Sequence, residues 1–173
     1  MKGRFKAAMS SLPIVIGNEV VNFSKERFEE QNWNDKTKEP WDKRKSRKDA
    51  GRAILVKSGR LKRSIRVVST TAESVTVGSD VPYAQVHNDG FNGTVNVNSH
   101  QRNKYKGRKA GTGKLNKSGS ERMQTISTVS GVGTVKAHTR QMNMPRRRFL
   151  GQSENMIQRL KRIAAKHLLK SLQ

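Results

Sequence analysis

The sequence predicts an α+β fold, with an antiparallel sheet of about four strands packed by a long N-terminal helix and a C-terminal helix. Three patterns carry this. Apolar residues recur at helical spacing over the first thirty positions, alternate with polar ones between 65 and 77, and return to helical spacing after 153. The length of 173 residues suits one ordinary domain, and 1–173 is read as a single one.

In the first segment Phe5, Met9, Leu12, Ile16, Val20 and Phe23 make a stripe that Val21 and Phe28 widen. Pro13 has no N–H to donate to residue 9. The helix therefore either kinks there or restarts with Ser10 or Ser11 as N-cap. Positions 32–52 break the period and read as an ordered but irregular polar linker, with Trp33 and Trp41 anchoring it to the core. Ile65 and Val67 alternate with Arg66 and Val68, positions 69–74 supply a polar turn, and Val75 and Val77 resume the alternation. This is a hairpin with one buried face.

Pro82 suits the first turn of a short helix over 81–90, and Gly90 suits its end. Gly59 and Gly90 sit where the chain reverses and positive φ is needed. Tyr83 and His87, four apart, share one face of the short helix. His87 is expected to bond the loop near Asp89 or Gly90 and so hold the helix to the sheet. Val95 and Val97 mark a third strand, and Val135 and Ala137 a fourth. Pro145 sets an extended entry to the last helix, and Phe149 and Leu150 plug the core. Ser153 is the N-cap of that helix, with Glu154 in its first turn. Met156, Leu160, Ile163, Ala164 and Leu168 form its apolar stripe, and Arg159, Lys161, Arg162, Lys166 and Lys170 its basic side.

Charge is the strongest compositional signal. There are 36 basic and 13 acidic side chains, a net +23, of which residues 51–173 carry +19. Such a field draws polyanions or acidic protein surfaces and exceeds what solubility requires. Part of it lies in 99–131, an extended Gly/Ser/Lys-rich arm or loop without clear period, in which Arg102, Lys104, Lys106, Arg108, Lys109 and Lys114 cluster. Met123, Ile126 and Val129 suggest a short strand on its return leg. These six cations, with Arg146, Arg147 and Arg148, are the candidates for contact with DNA or a partner subunit.

Catalysis is poorly supported. Cysteine is absent, which excludes disulfides, thiolate zinc sites and a cysteine nucleophile. After residue 50 only Glu73, Asp80, Asp89, Glu121 and Glu154 are acidic, and no pair has the spacing for acid–base work. His87, His100, His138 and His167 lack metal-ligand spacing. Gly111-Thr112-Gly113-Lys114-Leu115 is like the end of a phosphate-binding loop. That motif needs glycine in place of Arg108 and Ser or Thr in place of Leu115. No enzyme activity, cofactor or metal is expected. No apolar run reaches membrane-spanning length. Ser10, Ser11, Pro13, Gly17 and Glu19 interrupt the only stretch resembling an export signal. No sequence-reading nucleic-acid motif occurs, so any nucleic-acid contact should be non-specific.

The order of motifs adds a resemblance. The first helix leads to Glu39-Pro40-Trp41-Asp42-Lys43-Arg44. Then come Leu55, Ser58, Gly59, Leu61, Ser64 and Ile65 in the spacing L-x-x-S-G-x-L-x-x-S-I, a hairpin closing on Val77-Gly78-Ser79, and Tyr83 to Gly90 as YAQVHNDG. The element MPRRRFLG, with Pro145 and Phe149, precedes the last helix. Together these resemble the phage virion morphogenesis family, across nearly the whole chain except 92–143.

The resemblance implies a non-catalytic tail-completion or head–tail joining subunit. It would form a homo-oligomeric ring, commonly a hexamer, in the virion neck around the DNA channel, after assembly in the host cytoplasm. Its partners would be neighbouring neck and tail proteins and packaged DNA, with no membrane. The rival readings are a tail terminator and a non-specific nucleic-acid-binding basic protein.

Overall fold

The structure is a computed structural model and describes residues 2–44, 51–170 and 172. The chain divides into two compact units, one of Met1–Asn92 with Asn143–Gln173 and one of Gly93–Met142. The α+β class holds. Two long helices flank the chain and the strands pair antiparallel in each ladder whose register is resolved. They pair two by two, not as one four-stranded sheet.

Helix α1 (Lys2–Glu30) runs unbroken through Pro13 and does not restart. The hydroxyls of Ser10 and Ser11 donate to the Lys6 and Ala8 carbonyls and cap nothing. The stretch is held from outside, where His167 Nε2 lies 2.9 Å from Ser11 Oγ and 3.2 Å from the Ala8 carbonyl. Phe5 and Met9, predicted to join the buried stripe, are exposed. The stripe is covered only further along, at Val21, Phe23 and Phe28.

After α1 the chain makes a small antiparallel hairpin, β1 (Asn32–Asn34) with β2 (Lys38–Pro40). The linker is thus more regular than its composition suggests, while its positions 45–50 lie outside the described residues. Trp33 and Trp41 are its anchors, as expected, 2% and 6% exposed. Phe23 meets the Trp33 ring edge-on at 5.9 Å, and Arg148 lies 4.5 Å above that ring. The buried Arg27 near the end of α1 donates to the Phe23 carbonyl, Asn32 Oδ1 and the carboxylates of Glu26 and Glu30, so its charge is compensated.

Helix α2 (Arg60–Ser64) was not evident from the pattern. It starts at Gly59, whose φ is 71°, and buries Leu61. Ile65 follows it, fully buried, and leads into β3 (Arg66–Thr70), paired with β4 (Val75–Gly78) through Val67 opposite Val77. A bulge at Val68 leaves that side chain in solvent. The hairpin lies against α1 at Gly17, where a Cβ would stand 2.5 Å from a Val75 methyl and 2.9 Å from a Val67 methyl. Only glycine permits that approach.

Helix α3 (Ala84–Asp89) ends at Gly90, with φ at 79°. A Cβ there would stand 3.0 Å from the Arg146 nitrogen and 3.1 Å from the Met144 carbonyl. The expected bond from the His87 ring to the loop near Asp89 or Gly90 is not made. The ring meets Tyr83 edge-on at 5.8 Å, and its Nδ1 is buried with no hydrogen-bond partner among the described residues. The neighbour Asn88 does the tying instead, its Oδ1 accepting from the Phe149 and Leu150 nitrogens at 3.0 and 2.9 Å. The His87 carbonyl accepts from the Arg147 nitrogen.

The remaining strands are β5 (Phe91–Val97), β6 (His100–Leu115), β7 (Glu121–Val135) and β8 (His138–Met144), with β5 pairing β8 and β6 pairing β7. Val135 therefore closes β7, and Ala137 lies between strands. Phe149 then enters the core against Phe28 at 5.0 Å, beside Trp41, Leu61, Ile65, Val21 and Val81. Helix α4 (Glu154–Lys170) begins as predicted. Ser153 Oγ accepts from the Met156 nitrogen and itself donates to the Asn34 carbonyl. Its stripe is only half-buried, and it is joined to α1 by Arg159, which pairs with Glu19 and grips both Glu26 oxygens at 2.8 and 2.9 Å.

Phe149→Ala is expected to cost about 3–5 kcal/mol in unfolding free energy, measured as a lowered urea midpoint at unchanged slope. The His87 imidazole titrates below the ordinary histidine range, because burial withholds water and the Arg147 guanidinium repels a second charge. The unfolded chain binds the proton near pH 6.5 and the folded chain only at lower pH. Stability is therefore full above that pH and declines below it. Thermal unfolding from pH 7 to 5 should show a smaller decline for His87→Gln than for the wild type.

Candidate functional site

The arm cations predicted as contact residues lie on a long two-stranded ribbon. β6 and β7 pair antiparallel from His100 opposite Val135 to Leu115 opposite Glu121, around a turn in which Asn116 Oδ1 accepts from the Ser118 and Ser120 nitrogens. At about 3.4 Å per residue, the 16 residues of β6 span about 50 Å. The expected irregular arm is thus regular β structure.

Register assigns each side chain to a face, because directly paired residues share one. Arg102 pairs with Gly133, Lys104 with Gly131, Lys106 with Thr128 and Arg108 with Ile126. These four cations line one face. The Lys104 stem lies across Gly133, where a Cβ would come within 2.7 Å of its Cε. The bulge between Lys104 and Tyr105 adds a residue to β7 without disturbing the alternation in β6. The other face carries Asn103 with Val132, Tyr105 with Val129, Lys109 with Thr125 and Gly111 with Met123. Tyr105, Met123, Val129 and Val132 are all more than half exposed. Five of the six predicted arm cations are therefore sorted, four to one face and Lys109 to the other. Lys114 sits past a second irregularity near the tip.

The electrostatics of the two units differ. In the first, carboxylates meet cations: Glu19 and Glu26 with Arg159, Glu30 with Arg27 and Lys38, Glu29 with Lys62, Asp80 with Arg66. In the second, ten Lys and Arg stand against Glu121 alone. The Glu121 carboxylate accepts from the Gly113 nitrogen, so an acid occupies the spot where the GTGKL string would have cradled a phosphate. Among the described residues none of Arg102, Lys104, Lys106 and Arg108 has an ion-pair partner.

The Arg146–Arg148 triplet separates by role. Arg147 is buried and donates twice to the Asp42 carbonyl, and Arg148 stacks on Trp33 and donates to the Gln152 carbonyl. Both serve the fold, and Arg146 alone is exposed. Of the motif residues, Leu61, Ile65 and Phe149 are core, and Pro145 precedes Phe149 in the return segment; Gly59, Tyr83, His87 and Gly90 shape and pack α2 and α3. A cleft of about 300 Å³ beside them is lined by Arg44, Lys57, Arg60, Tyr83, His87 and Arg147, with no carboxylate among its described lining residues. Asn88, Arg27 and Gly17 were missed; Asn88 and Gly17 act through residues distant in sequence, and Arg27 is buried among its own near neighbours.

Among the described residues no group of three His, Asp or Glu side chains is placed to hold a metal ion, and no helix is long and apolar enough to cross a membrane. No curated protein and no solved structure matches the chain. The model of the phage virion morphogenesis family matches residues 3–169. That match spans both units and the motifs from α1 to α4, and the chain belongs to the phage virion morphogenesis family.

Proposed function

We propose that this chain is a non-catalytic structural subunit that completes the tail of a tailed bacteriophage and joins it to the head. In this reading copies assemble in the host cytoplasm into a ring in the neck, six being the number the family resemblance implies, and contact the neighbouring neck and tail proteins. The observation that carries it is the family match across 3–169, joined to a ribbon that leaves Tyr105, Met123, Val129 and Val132 exposed on one face. Exposed apolar side chains grouped together, as Tyr105, Val129 and Val132 are, mark protein contact surfaces. A head–tail joint is built from such contacts between copies and neighbours, and asks for packing surfaces in place of a reactive centre.

A tail terminator shares these features and differs only in its position. Electron microscopy of virions carrying a labelled subunit separates the readings. Label is expected at the neck, between head and tail. Label in the capsid shell or at the distal tail tip would overturn the assignment.

A further inference from the structure

We propose that the Arg102–Lys104–Lys106–Arg108 face of the β6–β7 ribbon lies along the phosphate backbone of duplex DNA without reading its sequence. Three observations lead there. First, the cations are segregated. Charge kept for solubility has no reason to favour one face of a ribbon, yet four of the five cations from Arg102 to Lys109 fall on one face, and the exposed Tyr105, Met123, Val129 and Val132 share the opposite one with Lys109. Second, none of the four is matched by a carboxylate among the described residues, whereas Glu19, Glu26, Glu29, Glu30 and Asp80 of the first unit each pair with a cation. An unmatched row of this kind gains counterion-release free energy on a polyanion.

Third, the face suits a backbone and not bases. Opposite the four cations stand Gly133, Gly131, Thr128 and Ile126, so no Phe, Tyr or Trp ring lies among them on which a single-stranded base would stack, and His100 at the end of the same row is tied to the Asn98 carbonyl. Tyr105, the ribbon's one aromatic side chain, points the other way. A regular strand sets successive cations about 7 Å apart, a row suited to following a line of phosphates. The β7 glycines opposite Arg102 and Lys104 leave their stems room to lie flat.

This inference rests on the virion reading only for where the DNA is met. Affinity belongs to the purified full chain, so the two proposals fail separately. Fluorescent duplexes of two unrelated sequences, titrated with protein from 50 to 200 mM salt, supply the test. Wild-type protein should bind both alike and weakly, with Kd near about 10⁻⁴–10⁻⁶ M at physiological salt. Replacing the four with glutamine (Arg102→Gln, Lys104→Gln, Lys106→Gln, Arg108→Gln) should reduce the slope of log K against log salt by about 3.6, at about 0.9 per phosphate contact.

Removing four exposed charges of α4 (Lys161→Gln, Arg162→Gln, Lys166→Gln, Lys170→Gln) lowers net charge equally and should leave the slope unchanged. The charge-conserving pair Lys104→Arg and Lys106→Arg should also keep it. The proposal is overturned by equal slope losses in the ribbon and α4 variants, by no loss in the ribbon variant, by slope loss in the arginine pair, or by poly-glutamate competing more tightly than duplex.

Discussion

Phe149 packs against Phe28 and beside Trp41, and the first unit is organised around that contact. The end of α1 and the linker that follows it meet there a segment far along the chain, the one returning from the insertion. Bringing them together is entropically unfavourable, and the returning segment is irregular, so its backbone groups need partners of their own. They have them. Trp41 Nε1 donates to the Arg148 carbonyl, Asn88 Oδ1 takes the Phe149 and Leu150 nitrogens, the Arg147 nitrogen meets the His87 carbonyl, and the Arg147 guanidinium holds the Asp42 carbonyl. The ring supplies the apolar burial and the polar contacts fix its position. No residue of Gly93–Met142 belongs to this core cluster, so that core needs nothing from the insertion.

Charge is divided along the same boundary. In the first unit Glu30 pairs with Arg27 at helix spacing, and Arg159 bridges α1 and α4 through Glu19 and Glu26. The second unit has almost no acids to match its bases. A net charge of +23 is thus not a uniform property of the surface. On the ribbon the bases are nearly unopposed by acids, and four of them share one face while the exposed Tyr105, Met123, Val129 and Val132 lie on the other. Such a ribbon can be gripped by protein on one side while facing a polyanion on the other.

Elements whose signal is local were legible in the sequence. The two long helices, the 66–78 hairpin, the Ser153 cap and the two tryptophan anchors follow from spacing and composition. The return leg of the ribbon was legible as a strand from Met123, Ile126 and Val129, but its outgoing strand β6 was not, because strand reading looks for apolar residues alternating with polar ones. Here a different alternation runs from Arg102 to Arg108, cation against Asn, Tyr or Gly. Pro13 misled for a related reason, since its local cost is outweighed by packing that propensity does not register. The roles of Asn88, Arg27 and Gly17 depend on partners from other elements, and Arg147 and Arg148 turned inward where a run of three arginines reads as surface.

The family assignment ties this molecule to the building of a phage particle, and the segregated ribbon gives that role a physical form. Its most direct test is chemical cross-linking inside intact, DNA-filled virions, with peptides covering 100–131 read by mass spectrometry. The account predicts nucleotide adducts on Lys104 and Lys106 that disappear from particles emptied of DNA. Finding those lysines linked solely to protein in filled particles, or finding no copy of the chain in the virion, would contradict it.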